Sequence, residues 1–130
     1  MSFLAGLFQL LSTAPTLVAL QRARVFPVVL PEGETLPATT YRTIGGRQDP
    51  TYTTSGLQRR RVELSFRATN AAGADQLREA TIAVLNGFHG AMPNGFVVQD
   101  CELLQPLDDF DTDARQFRFG AEFYFYFVLQ

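Results

Sequence analysis

The sequence predicts an α+β chain: an antiparallel sheet of about four strands with two main helices packed on one face. Three stretches carry that expectation. Arg115 to Leu129 alternates strictly, with Phe117, Phe119, Ala121, Phe123, Phe125, Phe127 and Leu129 on one face and Arg118, Gly120, Glu122, Tyr124, Tyr126 and Val128 on the other. Arg61 to Thr69 does the same, setting Val62, Leu64, Phe66 and Ala68 against Arg61, Glu63, Ser65, Arg67 and Thr69. A period of two is the mark of a half-buried strand. Between them Leu77, Ala80, Thr81, Val84, Leu85 and Phe88 form one apolar stripe at helical spacing.

In chain order, Phe3, Leu4, Leu7, Phe8 and Leu11 recur at helical spacing and predict a short amphipathic helix. Ser12 and Thr13 stop it, and Pro15 suits the first turn of a second short helix running to Leu20. Val25 to Pro31 is apolar but broken by prolines, which lack the N–H of a central strand, so it reads as an edge segment or extended loop. Glu32-Gly33-Glu34 turns, Ala38 to Ile44 reads as a strand, and Gly45 to Gly56 is a polar, glycine-bearing loop. Asn70 caps the next helix, which ends near Asn86-Gly87. A loop through Pro93-Asn94-Gly95 leads to a strand from Phe96 to Leu104, an acidic connection from Pro106 to Ala114, and the closing strand.

The chain has 130 residues, 46% of them hydrophobic and 18% charged, with a formal net charge of -2. That length buries a core without disulfides or metal and reads as one domain, residues 1–130. The composition argues against disorder and against a general nucleic-acid-binding surface, so a protein partner is expected. All eleven Lys and Arg positions are arginine. Arginine suits bidentate pairing at interfaces, and a GC-rich genome produces the same bias. The single cysteine, Cys101, has no partner for a disulfide or a metal site and reads as packing. The apolar start lacks the basic residues of a secretory signal and is interrupted by Gln9, Ser12, Thr13 and Pro15, so neither export nor a membrane span is expected from it.

No reactive constellation emerges, and no catalytic residue, cofactor or metal is expected. The lone histidine, His89, has no acidic neighbour in Gly87-Phe88-His89-Gly90 to orient it. Ser12, Ser55 and Ser65 lie in no nucleophile motif. Gly45-Gly46-Arg47 lacks the spacing and the lysine of a phosphate loop. In the acidic loop, Asp108, Asp109, Asp111 and Asp113, the last three echo the start of a calcium loop. Ala114 and Gly120 then stand where its glycine and bidentate glutamate belong, which leaves a solvated hairpin connection.

The outer strand faces are the candidate site. Arg118, Glu122, Tyr124 and Tyr126, together with Arg59, Arg61 and Arg67, make a face that is amphipathic rather than wet. Tyr and Arg are enriched where proteins meet. Loops of the same chain or a second subunit could cover it, and the subunit contact is the reading adopted. The run Arg59-Arg60-Arg61 suits an acidic surface, with the aspartate loop of a neighbouring copy one option; unchanged assembly after reversing those arginine charges would count against it. Gly45, Gly46, Arg47, Gln48, Asp49 and Tyr52 form the loop expected to contact a further partner, since loops on rigid scaffolds commonly carry binding.

The order of these pieces is itself familiar. A helical N-terminus runs into Arg24-Val25-Phe26-Pro27, then Leu30-Pro31, then Leu36-Pro37-Ala38-Thr39-Thr40-Tyr41. A variable loop, the Val62 to Ala68 strand, the alanine-rich helix Ala71 to Leu85, the acidic hairpin and the aromatic strand follow. Over nearly its whole length the chain resembles the small tail completion, or tail terminator, proteins of long-tailed bacteriophages, prophages and gene transfer agents. The resemblance implies a structural virion protein and no enzyme. It implies a homo-oligomeric ring, typically a hexamer, that sits on the head-proximal end of the tail, ends tube polymerisation and offers the neck a joining surface. Its partners would be the tail tube protein and a neck or head-completion protein. DNA would pass through the ring without specific binding, and assembly would take place in the bacterial cytoplasm. A head-tail connector or adaptor of the neck is the alternative.

Overall fold

A computed structural model describes residues 2–44, 57–112 and 115–128. The chain opens with helix α1 (Phe3–Thr13), whose first turn is closed by Ser2: its hydroxyl accepts from the Ala5 N–H at 3.0 Å. Phe3, Leu7 and Leu11 turn inward, whereas Phe8 stays 37% exposed at the margin of the stripe. At Gly6 any larger residue would require the Asn94 and Met92 side chains to shift. A Cβ there would lie 2.6 Å from the Asn94 side chain, and Asn94 donates to Ser2 O at 3.0 Å. Helix α2 (Pro15–Gln21) begins at the expected proline and is bent by 73° from α1. Among the described residues no single helix is long and apolar enough to cross a membrane. Gln21, fully buried at the end of α2, donates to Leu11 O at 3.4 Å and accepts from the Thr39 hydroxyl, tying both helices to the sheet.

The strands are β1 (Val25–Pro27), β2 (Ala38–Ile44), β3 (Leu57–Ala68), then, after helix α3 (Ala71–Leu85), β4 (Gly90–Ala91), β5 (Val97–Val98), β6 (Asp100–Leu107), β7 (Phe110–Asp111) and β8 (Gln116–Val128). The main sheet runs β1-β2-β3-β8-β6, with β7 pairing with β8, while β4 and β5 form a separate small hairpin. The expected antiparallel sheet of about four strands is therefore corrected to one that is mixed and, among the described residues, six-stranded. The added strand β1 pairs parallel with β2. Its one proline, Pro27, is tolerated because β1 is an edge strand with a partner on one side only. The two main helices, α1 and α3, and the expected short helix α2 between them are, among the described residues, packed on one sheet face around the core.

Three boundaries also move. β3 starts at Leu57, earlier than expected, because its arginines and Gln58 continue the ladder with β8. The strand expected over Phe96 to Leu104 is divided at Gln99 into the small hairpin's β5 and the main sheet's β6. β6 then runs on to Leu107, and the acidic connection contains β7. The N-cap at Asn70 stands as expected, its side chain accepting from the Gly73 N–H at 2.6 Å.

The inward face follows the alternation. Val62, Leu64, Phe66, Ala121, Phe123, Phe125 and Phe127 join Phe3, Leu7, Leu11, Leu17, Leu77 and Leu85 in one core. Phe3 bridges α1 to β8, its ring centre 5.0 Å from that of Phe125 and 5.3 Å from that of Phe127. Phe117 and Phe119 point the same way but are only half-buried. Phe117 packs edge-on against Phe110 of β7, with ring centres 4.9 Å apart.

Candidate functional site

The face turned away from the helices is built by ladder register. Arg59, Arg61, Glu63, Ser65 and Arg67 on β3 stand opposite Tyr126, Tyr124, Glu122, Gly120 and Arg118 on β8. All seven arginine, glutamate and tyrosine positions singled out from the sequence thus lie side by side on two central strands. The structure divides them into two regions with different character.

The first region surrounds the tyrosines. Their rings contact each other at 6.2 Å between centres, and the Arg59 guanidinium lies 4.3 Å from the centre of the Tyr124 ring. Glu122 differs from the expectation of a freely outward residue. It is only 6% exposed and stands directly opposite Glu63. Like charges in that position repel, and two arginines relieve them: Arg61 Nε donates to Glu122 at 2.9 Å, and Arg42 Nε lies 3.2 Å from Glu63. Hydrogen bonding to Glu122 holds the Arg61 guanidinium above its usual value. On the far side, β6 sets Asp100 opposite Tyr126 and Glu102 opposite Tyr124, both exposed. The tyrosine pair is therefore flanked by guanidiniums on the β3 side and carboxylates on the β6 side. Sequence reasoning did not assign Asp100 and Glu102 to this face; their alternation with Cys101 and Leu103 was the available signal.

The second region is a polar groove across the other half of the face. Two adjoining hollows of about 140 and 290 Å³ share Arg42, Glu63, Ser65 and Arg118. Arg67 stands opposite Arg118 and donates to Gln116 at 3.3 Å. Arg118 is held by Asp109. The acidic loop is thus engaged within its own chain: Asp109 pairs with Arg118 and Asp108 with Arg78. That argues against these two carboxylates being free for a neighbour's arginines. Asp113 and the side chain of Asp111 lie outside the described residues, as do Gly45, Gly46, Arg47, Gln48, Asp49 and Tyr52.

The Arg118 hydrogen bond, with help from the Phe110 N–H, holds the Asp109 carboxyl below its usual value. A group depressed on folding stabilises the fold above its unfolded pKa, about 3.9 for Asp. That contribution is lost as pH falls through the folded value. An NMR titration of the side-chain carboxyl carbons should give Asp109 a midpoint below about 3.9 in the wild type, returning toward it in Arg118→Gln. Equal midpoints in the two proteins would break the link between them.

Outside this face the chemistry is sparse. His89 is exposed, its Nδ1 3.0 Å from Gly87 O, and it lines neither hollow. Cys101 is buried against the core, and burial, with Asp100 beside it, pushes its thiol well up, away from the reactive thiolate. Among the described residues no group of His, Cys, Asp and Glu is arranged to hold a metal.

Comparison with known proteins now adds to this geometry. The sequence profile of a family described as Tail completion protein gp17 matches residues 5–126. A chain in a solved structure titled "Virion of native gene transfer agent (GTA) particle" superposes with a TM-score of 0.75 at 18% identity, covering 96% of this chain and 93% of that one. The likeness shows a shared fold. No curated protein matches the sequence significantly.

Proposed function

The chain belongs to the tail completion protein family, structural parts of the virion tail rather than enzymes, and from that premise we propose that it forms a ring, a hexamer, at the head-proximal end of the tail tube. The ring ends tube polymerisation and presents the surface to which the neck joins. The observation that supports this reading is the polarity of the tyrosine region: Arg59 and Arg61 on one flank, Asp100 and Glu102 on the other. A head-to-tail ring needs two unlike, complementary surfaces on each subunit. Here the exposed carboxylates of β6, at the sheet edge, meet the guanidiniums and tyrosines of the next copy.

Light scattering across a concentration series, with electron micrographs of the assembled peak, tests this directly. The expected result is a six-fold ring that is lost in Arg59→Glu and restored when Arg59→Glu is combined with Glu102→Arg. Tyr124→Ala and Tyr126→Ala should each shift assembly to higher concentration, with the monomer's melting point little changed. Rings that persist unchanged in all of these variants would overturn the assignment of the interface. Co-sedimentation with the tail tube protein separates the terminator from the neck connector, which would bind the head side and leave the tube alone.

A further inference from the structure

The polar groove is built by features that the tyrosine region does not use. β6 carries a bulge between Leu103 and Gln105, so the register passes from Leu103 opposite Phe123 to Gln105 opposite Glu122. An extra residue reverses which face each later side chain occupies. Leu107, which strict alternation would send into the core with Cys101 and Leu103, instead comes out opposite Gly120 and is 40% exposed. Gly120 keeps the floor open beneath it: a Cβ there would meet Leu64 O at 3.1 Å and the Leu107 side chain at 3.6 Å.

The opposite rim is Val28, which lines the smaller hollow with Thr40, Arg42 and Arg67. Val28 has φ +63°, a left-handed conformation that a β-branched side chain rarely adopts. Its N–H donates to Tyr41 O at 2.8 Å, and the Val29 N–H closes a tight turn on Pro27 O at 2.7 Å. This strained turn holds two apolar side chains in solvent, Val28 at 63% and Val29 at 69% exposure. Between the rims lie three guanidiniums, Arg42, Arg67 and Arg118, against two carboxylates, Glu63 and Asp109, with Ser65 and Gly120 as the low floor.

We propose that this groove seats an extended segment of a partner protein, carrying one carboxylate between two apolar side chains. Crossing from β1 to β6 spans four strand spacings, about 19 Å, or about five to six extended residues. The apolar residues of the segment would rest on Val28 and Leu107, and the carboxylate would meet the arginines between them, where charge-assisted, bidentate bonding is strong and directional. The same charges favour peptide over nucleic acid. Glu63 and Asp109 in the walls oppose a continuous phosphate backbone, yet Glu63 can accept from a peptide N–H. The groove does not depend on ring formation.

The test is selection from a randomised nine-residue peptide library against the full-length protein, with counter-selection on Gly120→Val, which fills the floor without changing charge. Enriched peptides should carry a central Glu or Asp flanked by Val, Leu or Ile. By fluorescence anisotropy, replacing that acid with its amide should weaken binding tenfold or more. Leu107→Asp, which places a like charge at an exposed rim and spares the core, should weaken it similarly and serves if Gly120→Val does not fold. The proposal is overturned by three outcomes: no enrichment, enriched peptides without an acid, or a labelled DNA duplex that displaces the selected peptide and binds more tightly. Rings without acid selection would remove the groove and leave the ring standing; acid selection without rings would do the reverse.

Discussion

Phe125→Ala is expected to destabilise the protein by about 3–5 kcal/mol, the usual cost of emptying a buried phenylalanine site. Phe125 is fully buried on the central strand β8 and packs edge-on against Phe3 of α1. It also lies beside Phe123, with ring centres 6.3 Å apart. Its loss removes one of the rings against which Phe3 of α1 is seated, and leaves Phe3 its contacts with Phe96 and Phe127. For a chain of this size the melting temperature should fall by roughly 10–20 °C. Val128→Ala, at a site 41% exposed on the same strand, should change stability by no more than about 0.5 kcal/mol. Urea and thermal melts measure both. A loss below about 1.5 kcal/mol for Phe125→Ala would mean that α1 collapses into the vacancy, since the cost depends on how well a site can close.

Arg78→Met should cost about 2–3 kcal/mol, and should act on one corner of the molecule. Arg78 is only 8% exposed although it lies on a helix. Its guanidinium sits 4.7 Å from the Phe119 ring centre and donates to Leu107 O at 3.0 Å, to Asp75 at 3.0 Å, and to Asp108. Burial works against its charge, and the bonds to Asp108 and Asp75 outweigh that effect and hold its value above the usual one. Asp75 and Asp108 are exposed and regain water when the arginine is removed, so the ion pairs themselves add little. The larger loss is the charge-assisted bond to the Leu107 carbonyl, within the usual range of about 1.5–3 kcal/mol, together with the packing on Phe119. Hydrogen exchange should rise tenfold or more at Phe110 and Arg118 while the α1 amides keep their protection. Uniform loss of protection would show instead that Arg78 supports the whole core.

Arg78 also shows where the sequence could be read and where it could not. The stripe on α3 was legible from spacing, but a strongly polar residue at position 78, one helical turn from Ala74 and Thr81, carries no local sign of which backbone carbonyl it will reach. Period two in β3 and β8 was enough to place Arg59, Arg61, Arg67, Arg118, Tyr124 and Tyr126 on one face, because a sheet with one buried side leaves no freedom of register. It could not show that Glu63 would face Glu122, a fact that depends on how two distant strands align. Nor could it show the bulge in β6, although the adjacent Leu103 and Leu104 already interrupt the alternation there. The parallel partnership of β1 was hidden for a related reason: three residues ending in proline resemble a loop until β2 supplies the ladder. Long-range register built the groove, whereas local pattern alone revealed the tyrosine face.

One consequence of the strand order concerns the birth of the molecule. β8 is the last strand in chain order yet lies between β3 and β6. While the ribosome has yet to extrude it, β3 has no partner on one side, and a row of backbone donors and acceptors stands open beside Val62, Leu64 and Phe66. Contacts that close over so long a stretch of chain form slowly, and an unpaired apolar edge is the kind of surface on which nascent chains stick to one another. Expression yield at high synthesis rates, more than the equilibrium stability of the finished fold, is therefore where this topology will make itself felt.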